Sequence, residues 1–266
     1  MSLTMQQQPR QIIQRLEELT LNTAPAIHQN FYDGWVLRAS NTETHRANSV
    51  TALHASTLPL SEKLAYCESW YRLHHQPVLF RVNDSLSPVG LDDLLVAHGY
   101  TLVAATCVMT TDLTPGAGPQ ELPPGVRLVE LDLAESLTAL HRLKGTAPKV
   151  AEQEIKRQAL WQGPQLVLSL RSINGVVCSG MARVESGHVG IFDIYTPAHQ
   201  RGKGFAAMLV SQLLAWGKNQ GASSAFLQVL ETNSAAIAVY ERLGFAACYR
   251  YWSRAQGGCE TSSEKC

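Results

Sequence analysis

An internal repeat constrains this chain more than any other feature. Glu62–His75 (EKLAYCESWYRLHH) has helical spacing, Pro77–Val82 (PVLFRV) reads as a strand, Leu91–His98 (LDDLLVAH) as a helix, and Gly99-Tyr100 opens another strand. The same order returns later. Lys203–Asn219 reads as a helix, Ser224–Leu230 (SAFLQVL) as a strand, Ser234–Leu243 as a helix stopped by Gly244, and Phe245–Trp252 as a strand. Trp70 stands 29 residues before Gly99, and Trp216 stands 28 before Gly244. Both tryptophans recur at helix positions that suit packing. Two copies of one α/β unit are therefore expected.

The stretch Leu113–Gly125 (LTPGAGPQELPPG) separates the copies, because its prolines and glycines leave little regular structure. The reading is residues 1–113 as a first domain, 114–125 as a linker, 126–254 as a second domain and 255–266 as a polar, disordered tail. Ahead of the first copy, Ile12, Ile13, Leu16 and Leu19 share one face of an amphipathic helix, and Phe31–Ala39 and Arg46–Leu53 are strand-like. The second domain begins with Val126–Leu131 as a strand and Ala134–Leu143 and Lys149–Trp161 as helices. Gln165–Arg171, Gly175–Val184 and His188–Thr196 follow as strands.

Charge narrows the partners. The chain has 22 Lys+Arg against 22 Asp+Glu, and charged residues make up 17% against 45% hydrophobic. That balance suits a folded chain and gives no overall attraction to nucleic acid or to an anionic membrane. No run approaches the roughly 18 apolar residues of a membrane span. MSLTMQQQPRQ lacks the charged-then-apolar pattern of a signal peptide, so a cytoplasmic location is expected. Cys67, Cys107, Cys178, Cys248, Cys259 and Cys266 form no CxxC pair and are read as reduced thiols. The nine histidines show no ligand spacing, so no metal is expected.

Chemistry concentrates at Arg201-Gly202-Lys203-Gly204-Phe205-Ala206, between a strand and a helix. Two glycines allow close approach of the backbone, free N–H groups at a helix start face the ligand, and Arg201 and Lys203 add charge. Together these make a site for a phosphate or pyrophosphate.

In context, this stretch resembles the GNAT superfamily of N-acetyltransferases. The matching segments are IFDIYTPAHQRGKGFAAMLV (Ile191–Val210) and ETNSAAIAVYERLGF (Glu231–Phe245), within a resemblance spanning Val126 to Trp252. It implies an α/β (α+β) fold of two GNAT-like domains, each a mixed central sheet flanked by helices. The first copy lacks the Arg-x-x-Gly-x-Ala turn and resembles a degenerate GNAT domain, as in tandem GNAT proteins. By the same resemblance, Arg201, Gly202, Lys203, Gly204, Phe205 and Ala206 hold the pyrophosphate of acetyl-CoA, the co-substrate. Ile194, Tyr195 and Thr196 pair with its pantetheine arm like an added strand, and an N–H there can stabilise an oxyanion. Asn233 touches the cofactor. Tyr240, seven residues on, lies near the sulfur and can protonate the leaving thiolate; core packing for Tyr240 and helix capping for Asn233 are the plainer alternatives.

Pro197 stands four residues before Arg201, where the family more often has three, so the strand register is open by one residue. The proton acceptor is also open. Gln228 replaces the strand carboxylate of some relatives, leaving Asp193, Glu231, His188, His199 or solvent. Thr44–Leu53 either lines the acceptor pocket or forms ordinary strand and turn. The expectation is direct transfer of an acetyl group to a primary amine, a small molecule before a protein, with the oligomeric state open. The alternatives are a non-catalytic acyl-CoA sensor and a transferase for longer acyl groups.

Overall fold

The computed structural model of the protein describes residues 9–113 and 118–256. The first half runs through helix α1 (Arg10–Thr23), strands β1 (His28–Tyr32) and β2 (Trp35–Ala39), and a 3-10 turn at His45–Ala47. Strand β3 (Val50–Ala52), helix α2 (Leu60–Leu73), strand β4 (Leu79–Val82), helix α3 (Leu91–Ala97) and strand β5 (Tyr100–Asp112) complete it. The second half opens with β6 (Arg127–Glu130), α4 (Leu133–Lys144), α5 (Pro148–Gln158), β7 (Gln165–Ser172), β8 (Gly175–Glu185) and β9 (His188–Tyr195). A 3-10 turn at Ala198–Gln200 then leads to α6 (Phe205–Asn219), β10 (Ser224–Leu230), α7 (Ser234–Arg242) and β11 (Ala246–Gln256).

Local chemistry sets several boundaries. Asp132 caps α4 by accepting from the N–H of Ala134 and Glu135 at 2.8 and 3.1 Å, and left-handed Gly145 ends it. Pro148 opens α5 at a position that needs no N–H donor. Asp33 and Gly34 turn the β1–β2 hairpin with φ of 40° and 80°, the geometry a two-residue hairpin loop requires. Arg46–Leu53 is not one strand: it divides into the 3-10 turn and the three-residue β3. The side chain of Asn48 accepts from Ser40 N–H and donates to the carbonyls of Thr42 and Thr44, which ties this segment into a loop.

All eleven strands form one sheet, in the order β1-β2-β3-β4-β11-β5-β10-β9-β8-β7-β6. The expectation of one sheet per copy is corrected by this order. Each half contributes a parallel pair, β3 with β4 and β9 with β10. Its last strand then crosses to the other half: β5 pairs with β10, and β11 with β4. Ala105 pairs with Trp252 and Cys107 with Arg250. Residues 145 apart (250 − 105 and 252 − 107) thus exchange roles about the Thr106–Tyr251 pair, so a pseudo-twofold axis passes through the sheet there. The exchange leaves no open edge between the copies.

Alternation along β5 assigns the two faces. Cys107 and Met109 join the core under α6 and α7, while Val108 joins the core under α1. Trp35, Phe80 and Tyr100 fill a third core under α2 and α3. Strand β11 continues to Gln256 with Ala255 fully buried, so the polar tail begins later than expected at Ala255; residues 257–266, with Cys259 and Cys266, lie outside the described residues.

Candidate active site

Strands β9 and β10 pair in parallel from Ser224↔His188 to Leu227↔Ile191, and then separate. Beyond, Phe192–Tyr195 on one side and Gln228–Leu230 on the other no longer pair, and this splay forms a cleft. The turn from Arg201 to Gly204 stands at its mouth. Gly202 and Gly204 have φ of 78° and 82°, where a side chain would be strained. A Cβ at Gly202 would meet no atom within 4 Å, and one at Gly204 only Met208 at 3.8 Å, so the space over the turn is open. Among the described residues, the backbone N–H groups of Gly202 through Ala207 have no protein acceptor. Arg201 donates to the Thr196 carbonyl at 3.2 Å, and Lys203 to Gln200 at 3.0 Å. Six free donors with two adjacent cations fit a pyrophosphate.

The register question raised by Pro197 has a structural answer. Ser179 pairs with Tyr195 but Met181 with Phe192, so β9 carries one extra residue there. Asp193 is in that bulge with φ of 52°. A Cβ at Gly180, opposite, would fall 2.3 Å from Ile194 Cδ1, so the tip of the Ile194 side chain occupies the space that glycine leaves beside the bulge. The bulge turns Asp193 toward the face that bears α4, into a small pocket with Leu137, Leu140, Val167, Ser179 and Met181. Burial there works to raise the Asp193 pKa, but Lys144, Arg46, Arg157 and Arg183 overcome it and hold the carboxyl below its ordinary value.

Asn233 and Tyr240 belong to the N-cap and body of α7, on the face that bears α6. Asn233 caps α7 by accepting from Ala236 N–H at 3.1 Å. Tyr240, seven residues on, is buried against Phe245 with ring centroids 6.0 Å apart. Glu231 pairs with Arg250 at 3.7 Å. Gln228 donates to Thr20 of α1 at 2.9 Å and accepts from Tyr251 at 3.0 Å, which anchors α1 across the sheet. His188 is at the far end of β9, bonded to the Ser186 carbonyl, and His199 is exposed in the 3-10 turn before Arg201. Cys178 receives a hydrogen bond from Thr196 at 3.3 Å, and burial pushes its thiol up to about 11, far from a nucleophilic thiolate.

The equivalent turn of the first half, leading into α2, is filled from within. The Asp33 carboxylate accepts from Thr57 N–H, Thr57 Oγ1 and Leu58 N–H at 2.8–3.0 Å, and from Lys63 Nζ at 3.0 Å. The Leu58 N–H bond is the largest of the effects that hold this carboxyl well below the carboxylate range. Sequence reading missed this plug, and it also missed the buried arginines Arg38, Arg81 and Arg183. A signal was present: each interrupts a strand-like apolar run, in WVLRA, LFRV and MARV.

The turn, the splay and the bulge together define a GNAT fold. Residues 11–253 match the family model described as "Probable histone acetyltransferase Rv0428c C-terminal", and the chain belongs to that family. It is a GNAT-type acyltransferase. It is 27% identical over 238 residues to the "Uncharacterized N-acetyltransferase YobR" of Bacillus subtilis (strain 168), covering 88% of this chain and 94% of that one. A GCN5-related N-acetyltransferase from Kribbella flavida superposes with a TM-score of 0.68 at 18% identity, over 95% of this chain and 98% of the other. A tandem GNAT protein from the clavulanic acid biosynthesis pathway gives 0.59 at 16% identity, over 73% and 68%. These two likenesses concern the fold. Among the described residues, no helix is long and apolar enough to cross a membrane.

Proposed function

We propose that the protein transfers an acetyl group from acetyl-CoA directly to a primary amine. The observation that carries this reading is the run of unpartnered N–H groups from Gly202 to Ala207 at the mouth of the β9–β10 splay. Gly202 to Ala206, with Arg201 and Lys203, bind the pyrophosphate; Ile194 to Thr196 offer backbone groups to the pantetheine arm; Asn233 borders it. Acetyl-CoA supplies the activated thioester. As the amine nitrogen bonds to the acyl carbon, the C–S bond breaks, and an N–H of the Ile194–Thr196 stretch steadies the oxygen. The thiolate takes its proton from the Tyr240 hydroxyl, which solvent then restores. Asp193, kept ionised by its cations, is a weak base, and Glu231 is engaged with Arg250; the ammonium proton therefore leaves through water, while Asp193 orients the amine.

Calorimetric titration with acetyl-CoA, followed by a CoA-release screen over amines, tests the reading. One site per chain with turnover supports it. Binding without turnover of any amine would make the chain an acyl-CoA sensor, and binding weaker than about millimolar, roughly −4 kcal/mol, would remove the cofactor altogether. Tyr240→Phe is expected to lower kcat about 10- to 100-fold with acetyl-CoA affinity unchanged.

A further inference from the structure

We infer that the acceptor is an amine bearing an acid group, carboxylate or phosphate, a few bonds from its nucleophilic nitrogen. This rests on the amine acetylation proposed above and names the class of amine.

Two cations that form no ion pair among the described residues, and that share the single Asp193 carboxylate with two others, carry the inference. Arg46 comes from the 3-10 turn of the first half, and Lys144 from the last turn of α4. They reach over two rings of one strand: Arg46 Cζ is 5.7 Å from the centroid of Phe192, and Lys144 Nζ is 5.8 Å from that of Tyr195. Asp193 stands between those two aromatic residues in the sequence of β9. Both cationic side chains belong to half-buried residues, and neither has a hydrogen bond or ion pair among the described residues. A partly desolvated cation gains from an anion that water no longer supplies.

The neighbouring charges do not supply that anion. Arg157 is matched by Glu154, with Nε to Oε2 at 2.9 Å. Arg183 is held by the carbonyls of Thr23 and Gln158. Glu43, three residues before Arg46, is exposed and forms no ion pair among the described residues. Asp193 is thus one carboxylate acted on by four cations, of which Arg46 and Lys144 form no ion pair of their own among the described residues. An ammonium at Asp193 with its acid group between Arg46 and Lys144 would satisfy all three through charge-assisted contacts. A second positive charge, as in a lysine within a basic protein tail, would be repelled from the same place. The geometry also gives the first half a task despite its closed turn: it supplies one of the two cations.

The test uses the full chain saturated with free CoA, titrated calorimetrically with β-alanine and with 2-aminoethyl phosphate. Each is compared with an uncharged counterpart, β-alaninamide and ethanolamine, and both with 1,3-diaminopropane. At least one acid-bearing amine is expected to bind tenfold or more tightly than its counterpart, and which one does so separates carboxylate from phosphate. Arg46→Met and Lys144→Met should each remove most of that ratio, and Arg46→Lys should restore part of it. Equal binding of acid and neutral amines, tightest binding of the diamine, or no acid-bearing amine bound at millimolar concentration would overturn the inference. CoA release from acetyl-CoA with the same amines separates the two readings. Acid-selective binding without release counts against acetyl transfer alone; release that prefers neutral or cationic amines counts against the acid group alone.

Discussion

The turn leading into α2 and the turn leading into α6 occupy equivalent places in the repeat, yet one is closed by the chain and the other is open. At Thr57 and Leu58 the N–H groups point at the Asp33 carboxylate, and Lys63 completes the enclosure. At Gly202 and Lys203 the same groups have no protein acceptor. The turn therefore demands an anion in both halves. The first half meets that demand with a side chain from its own hairpin, and in the second, on the reading proposed above, a ligand would meet it. On the acetyl-CoA reading proposed above, the first turn differs from the second by more than its missing glycines, because the Asp33 carboxylate already sits where a phosphate would.

The comparison can be broken in order of effect. Gly204→Glu places a bulky anion on the open turn, where a side chain also meets strained backbone, and should take acetyl-CoA stoichiometry from one per chain to none by calorimetry. Asp33→Ala should lower the denaturant midpoint, because Lys63 loses its carboxylate, while stoichiometry stays at one; two sites would mean that Asp33 was all that closed the first turn. Acid weakens the same plug. The folded-state pKa of Asp33 lies below its unfolded value, so its stabilisation is complete above the ordinary carboxylate range and is lost as pH falls below about 4. The gap in midpoint between wild type and Asp33→Asn should accordingly narrow from pH 7 to pH 3. The smallest effect concerns Cys178: with its thiol at about 11, mass spectrometry should find it scarcely alkylated by iodoacetamide at pH 8 in the native state.

Periodicity and turn chemistry made much of this fold legible. Ser224–Leu230 was readable to the residue, and Gly244 and Pro148 marked true helix ends. The open turn before α6 was legible because glycine and charge cluster within six residues, Arg201 to Ala206. Strand exchange was not, since nothing in β5 or β11 records which neighbour it will pair with; both carry consecutive apolar residues, Leu102–Ala105 and Cys107–Met109 in β5 and Ala246–Tyr249 in β11, that suit either partner. Asp193 illustrates the remaining limit. Its place in β9 was clear, but the bulge that turns it toward α4 is a matter of register against β8, a strand that alternation within β9 does not report. Arg46 and Lys144 are nearly 100 residues apart, and only the shared sheet brings them to neighbouring rings.

Strand exchange also has a consequence for synthesis. Strand β4 finds its antiparallel partner only in β11, which begins at Ala246, so the first half emerges from the ribosome with an unfilled position in its sheet. It must wait through the making of the whole second half. Pairings so distant in sequence form slowly and expose strand edges meanwhile. Chaperone dependence and loss on truncation within β11 are thus properties to expect of both halves together, not of the second alone.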